Sequence, residues 1–161
     1  MRKTLDTIGL TAFVFLAWIT LRALYGPNRL AGRIPMHFNI AGHPDAWGSP
    51  FSLLLLPSLA AGIYLLVSVV ARNPTEVNLP VCVTPQNRAR LEALALNLFA
   101  WLKLELAWTF AAIQWFTIRV ATHQRQGFPP TLIPLTLAAI FATVGWFIAA
   151  MLLAGRTVTD S

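Results

Sequence analysis

Acidic residues are few: six Asp and Glu stand among 161 residues against twelve Lys and Arg, and charged residues make up only 11% of the chain. An ordinary soluble domain carries about 25% charge, so this composition excludes that class, and a hydrophobic content of 57% excludes intrinsic disorder. Cysteine occurs once, as Cys82, which rules out an internal disulfide and leaves a structural zinc site short of ligands. The sequence has no low-complexity tract, heptad array or internal repeat, and no basic patch with interleaved aromatics. Its net charge of +6 therefore points away from nucleic acid. In so apolar a chain, basic residues mark membrane orientation and lipid contact.

The apolar residues are gathered into four runs, at about residues 5–25, 51–71, 93–121 and 132–154. Each is near the ~20 residues that cross a ~30 Å hydrocarbon layer as a helix. Arg2 and Lys3 precede the first run as they would in a signal peptide, but the run is long for one and lacks a small-x-small cleavage site, so it reads as a retained membrane helix. Gly26 and Pro27 stop this helix. Ser49 with Pro50 supplies an N-cap and first-turn proline for the second, and Thr84 with Pro85 the same for the third. Thr131 caps the fourth and Gly155 closes it, while Pro57 should kink the second helix or loosen its first turns. The expected fold is an all-α, integral-membrane four-helix bundle, a single domain over residues 1–161, with a structured extracytoplasmic loop between helices 1 and 2.

Four spans put both termini on one side together with residues 72–90. That side carries Arg2, Lys3, Arg72, Arg88, Arg90 and Arg156, against Arg29, Arg33 and Arg125 on the other, with Arg22 and Arg119 at helix ends. The excess favours cytoplasmic termini in a cell-membrane protein and an outward-facing loop at 27–50. The third helical pattern runs from Thr84 to about Thr122, roughly 55 Å, so part of it projects beyond the membrane. Lys103 and Glu105 lie at mid-membrane if the span starts near Ala93, or snorkel at the cytoplasmic boundary if it starts near Leu104. They point about 160° apart on the helix, so each needs a partner elsewhere. Asn97 and Gln114 are candidate interhelical hydrogen-bonding residues, and Trp101, Trp108 and Trp115 form a seven-residue stripe suited to packing or lipid contact.

The loop at 33–50 is patterned. Ile34, Met36, Phe38 and Ile40 alternate with Pro35, His37 and Asn39, which in an extended stretch places the apolar set on one face and His37 with Asn39 on the other. Gly42 permits a turn, and Asp45 is followed by Trp47 and Gly48. Ile34 and Pro35, His37 to Asn39, Gly42, Pro44 and Asp45, and Trp47 with Gly48 resemble the signature of the domain of unknown function 1648 family, the membrane domain at the start of SdpI-type immunity proteins. Residues 78–87, leading to Trp101, Lys103, Glu105, Gln114 and Trp115, resemble small members of the same family. The resemblance implies a bacterial multi-pass membrane protein. The member that gives this type its name protects its producer from a secreted toxin and holds a transcriptional repressor at the membrane, roles that a short relative need not inherit. The signature positions carried over are His37, Asn39, Gly42, Asp45 and Trp47; His43 lies outside the signature.

Three chemistries compete with a structural role for these residues. His37, His43 and Asp45 offer metal ligands, although their spacing matches no known ligand pattern. His37 as general base, oriented by Asp45, with Ser49 or a water as nucleophile, would make a hydrolase. Glu105 and Lys103, joined by Arg22, would serve a small transporter, and Glu105 with His37 an intramembrane enzyme. The reading preferred here is non-enzymatic, with no cofactor and no resident metal: a binding or sensing protein whose loop receives a peptide, toxin or lipid. Membrane lipid, a cytoplasmic regulator at residues 72–92 and a second copy of the chain are the expected partners, although no strong small-xxx-small motif marks a dimer interface.

Overall fold

Each apolar run folds as one helix. The computed structural model describes residues 2–73 and 77–156, which form α1 (Arg2–Tyr25), α2 (Leu55–Val70), α3 (Arg88–Ala121) and α4 (Leu132–Arg156). All four, counting the turn before α2, are long and apolar enough to cross a membrane. Large apolar side chains such as Leu10, Val14, Leu65, Phe141 and Trp146 point outward. So much exposed apolar surface is stable only against an apolar solvent, and the chain is a multi-pass membrane protein.

The punctuation works in part as the residue types predict. Gly26 donates its N–H to Arg22 O (3.0 Å) and ends α1. Ser49 Oγ accepts from the Phe51 N–H, but what it caps is a 3-10 turn, Pro50–Leu54, that leads into α2. Pro57 falls in the first turn of α2, where its missing N–H costs nothing, and the loosening expected of it is this 3-10 entry. Two boundaries differ from expectation. Thr84 caps as expected, its Oγ1 accepting the Asn87 N–H (3.4 Å) while Asn87 Oδ1 accepts the Thr84 N–H (2.8 Å), but the regular helix begins only at Arg88, after a turn at 85–87 that Asn87 Nδ2 ties to Cys82 O (3.0 Å). Gly155 lies inside α4 rather than closing it; an added Cβ there would stand 3.0 Å from the Val81 side chain, so glycine lets the 78–87 segment approach.

The fold is not all-α. Two antiparallel strands, β1 (Ile34–Phe38) and β2 (Pro44–Gly48), pair between α1 and α2. The ladder joins Ile34 to Gly48, Pro35 to Trp47, His37 to Ala46 and Phe38 to Pro44, leaving Met36 and Asp45 without opposite residues. Each is a bulge, one on each strand, and bulges re-aim side chains. The simple alternation is therefore lost: Ile34 and Pro35 are both buried, Met36 points outward, and Ile40 at the turn is 100% exposed.

The third helix is the hub, packing against α1, α2, α4 and β1. Its buried face is made mostly of small residues, including Ala100, Ala107 and Ala111, which lets neighbouring backbones come close. Thus Ala107 and Ala111, a small-xxx-small pair, serve packing within the chain. Three apolar clusters hold the assembly: Leu16, Ile19, Ala60 and Ala111 at its middle; Ala23, Leu24, Ile34 and Leu53 under the hairpin; Leu91, Ala95, Met151 and Ala154 at the opposite end.

Candidate functional site

The hairpin divides its own residues into those that make the fold and those left facing out. Asn39 closes the turn: its Oδ1 accepts from the N–H groups of Ala41 and His43 (both 3.0 Å), and its own N–H donates to His43 O (2.9 Å). Gly42 adopts φ +82°, and its carbonyl accepts the Phe128 N–H at 2.8 Å. A Cβ on Gly42 would lie 2.1 Å from Phe128 O, so only glycine lets the turn dock on the α3–α4 connection. Phe38 and Phe116 pack around the Phe128 ring, with centroids 5.1 and 5.9 Å away. Arg33 donates to Trp47 O (2.8 Å) at the open end of the ladder.

His37, Asp45 and the Trp47 side chain stay outside this scaffold. The bulge at Asp45 turns its carboxylate to His37, with Nδ1 2.6 Å from Oδ1 and side chains 69% and 44% exposed. A contact so open to solvent adds little stability. His37 and Asp45 thus partner each other on the exposed side of the hairpin. Trp47 is half exposed and borders a shallow depression with Pro44, His123 and Arg125.

The sharper chemistries are not assembled. Among the described residues no three His, Cys, Asp or Glu side chains converge, so His43 does not join His37 and Asp45 as a metal ligand set. Ser49 caps the 3-10 turn and follows Gly48, which pairs with Ile34 at the far end of the ladder from His37, so Ser49 does not stand beside the imidazole. Glu105 and His37 do not share a site either: Ile34 packs near Ile118, and Glu105 lies about 20 Å further along α3.

The polar residues of α3 find partners on opposite sides. Lys103, with its side chain 12% exposed, donates to Asp6 of α1 (2.7 Å) and lies 4.7 Å above the Tyr64 ring of α2. Gln114, 1% exposed, donates to Thr20 Oγ1 (2.9 Å) and to Leu53 O (2.8 Å), tying α1 to the entry of α2. Interhelical bonds of this kind are worth roughly 1 kcal/mol each. Glu105 faces α4, where Oε1 accepts from the Thr143 hydroxyl (2.5 Å) and buried Oε2 has no partner. Asn97 makes no interhelical hydrogen bond among those described; it borders a groove with Trp101, Thr143 and Trp146. Asp6 and Thr143 were not candidates from sequence, although a lone acid in the first apolar run was a visible signal for a basic partner. Of the tryptophan stripe, Trp108 and Trp115 both meet Phe15 of α1, and Trp101 meets the α4 groove.

The hairpin and its flanking helices also decide the comparison with known families. Residues 12–61 match the model of the family described as Domain of unknown function (DUF1648). This DUF1648 segment takes in most of α1, the whole hairpin and the start of α2, less than half of the chain. The resemblance carried by Ile34, Pro35, His37, Asn39, Gly42, Asp45 and Trp47 falls within it. No curated protein and no solved structure matches the chain.

Proposed function

We propose that this chain is a non-enzymatic bacterial receptor of the SdpI-like immunity or signalling class, which takes a peptide or toxin ligand on an outward-facing hairpin. The observation that carries the reading is the division of the DUF1648 signature: Asn39 and Gly42 are spent on the turn and its docking, whereas His37, Asp45 and Trp47 face outward on it. A titratable pair beside an exposed indole on a braced hairpin is suited to contact a polar and aromatic ligand. Occupancy would pass to α3 and α4 through the Gly42–Phe128 contact, and from their inner ends to a cytoplasmic regulator at 72–92. Both termini are cytoplasmic in this reading, following the excess of Arg and Lys on that side.

The test is expression in a bacterium sensitive to a secreted peptide toxin, comparing the unaltered chain with His37→Ala, Asp45→Ala and Trp47→Ala. The expected outcome is protection by the unaltered chain and its loss in the variants at equal membrane abundance. Variants that stay folded and still protect would remove the hairpin from ligand contact.

A further inference from the structure

At the hairpin end of α1 and α3, a cleft of about 350 Å³ is walled by Trp18, Arg22, Leu30, Trp115, Ile118 and Arg119. Both guanidinium groups lie over indole faces, Arg22 at 5.5 Å from the Trp18 centroid and Arg119 at 5.3 Å from that of Trp115. Such stacking holds the planar groups in place and leaves their edges to donate. Arg119 Nε is buried and makes no hydrogen bond. The carboxylates among the described residues are engaged elsewhere: Asp6 with Lys103, Asp45 with His37, Glu92 with Arg88 and Glu105 with Thr143. Two fixed cations thus share one cleft without an internal anion.

A second, apolar groove of about 410 Å³ lies along the preceding turns of α1, bordered by Trp18, which also lines the cleft, and by Val14, Thr11, Leu10 and Thr7. Positions 7, 11, 14, 18 and 22 form one helical stripe that ends on Arg22. Thr7 and Thr11 bond their hydroxyls to Lys3 O and Ile8 O, so the groove loses its polar demand. From Thr7 to Trp18 it runs about 16 Å along the helix. A cationic site beside an apolar groove of that length matches the two ends of an anionic lipid.

We propose that this cleft and groove bind an anionic phospholipid, with its phosphate between Arg22 and Arg119 and an acyl chain along the α1 stripe. Guanidinium edges match phosphate oxygens in pairs, and the bond is strengthened by charge. Trp18 and Trp115 supply the interfacial aromatic surface beside the head group. The site is independent of the receptor reading, since none of His37, Asp45 and Trp47 lines it.

The experiment uses the full chain purified in a neutral maltoside detergent, with bound lipid counted by native mass spectrometry. The probes are dioleoylphosphatidylglycerol and dioleoylglycerol, which has the same chains and no phosphate. The expected result is one retained phosphatidylglycerol, and retention at least about tenfold weaker in Arg22→Gln/Arg119→Gln, because each lost guanidinium removes a charge-assisted contact. Arg125→Gln, whose guanidinium stacks on Phe116 outside the cleft, should retain the lipid as the unaltered protein does. Equal retention of dioleoylglycerol, or no loss in the double Gln variant, would overturn the proposal. Displacement of the lipid by millimolar inorganic phosphate would overturn the acyl groove and leave a plain phosphate site. If the Gln variant does not fold, Arg22→Lys/Arg119→Lys decides: charge without the planar fork should weaken but not abolish retention, and undiminished retention would count against the guanidinium geometry.

Discussion

The two long seams of α3 are built by different means. Along α1 the polar groups are closed: Lys103 meets Asp6, and Gln114 meets Thr20 and Leu53. Along α4, Glu105 meets Thr143 but leaves Oε2 buried without a partner, and a groove lined by Asn97 and Thr143 stands open beside it. The α4 seam relies instead on small apolar packing at one end, around Leu91, Ala95, Met151 and Ala154, and on the clasp of Gly42 with Phe128 at the other. In lipid, apolar side chains gain little by turning from the bilayer to one another, so a seam is held by close packing and completed hydrogen bonds. By that measure α1 is fixed and α4 is the more easily displaced helix.

The largest test of this contrast breaks the clasp. Gly42→Ala places a Cβ against Phe128 O and strains a positive φ, so it should cost at least about 2 kcal/mol and free the α3–α4 connection. The check is thermal unfolding in detergent together with protease cleavage at residues 124–127, which should rise; an unchanged cleavage rate would mean that the hairpin does not hold α4. Next in size is Asp6→Asn on the closed seam. It leaves a mostly buried Lys103 without its anion and should cost about 1–2 kcal/mol, reduced from the full cost of an uncompensated buried charge because Asp6 is half exposed. Lys103→Met should cost less, since Asp6 can turn to solvent; the reverse order in urea or SDS unfolding would contradict the assignment of Lys103 as the desolvated partner. The smallest effect belongs to Glu105→Gln. The amide keeps an oxygen for Thr143 and removes an unpartnered carboxylate oxygen, so stability should stay level or rise by up to about 1 kcal/mol. A large loss in the same unfolding assay would show that the open seam needs the charge.

Much of the architecture was legible. The apolar runs gave four helices because hydropathy over about 20 residues is a sum that tolerates local error. Gly26 and Ser49 acted where their types predict, because stopping and capping are settled within one turn of chain. Asn39 and Gly42 announced a turn, although the docking that requires glycine at 42 involves Phe128, which lies far away in sequence. The alternation of β1 misled because two bulges, at Met36 and Asp45, break its two-residue period and turn Asp45 onto His37. Thr84 acted as the cap its type announces, in a reciprocal pair with Asn87, but regular α3 starts only at Arg88 because residues 85–87 form a turn first.

Helical angle showed that Lys103 and Glu105 could not pair within α3, and the sequence alone carried that conclusion because side-chain direction follows from 3.6 residues per turn. Which partners they found, Asp6 and Thr143, was decided by how three helices pack, as was the meeting of Arg22 and Arg119 over one cleft. The sequence by itself determined the solvent this protein needs, the length of its helices and the place of its turns, since these depend on composition and on neighbours a few residues apart. Only the tertiary structure decided which polar groups are satisfied within the fold, because a hydrogen bond between helices depends on distances that the order of residues does not set.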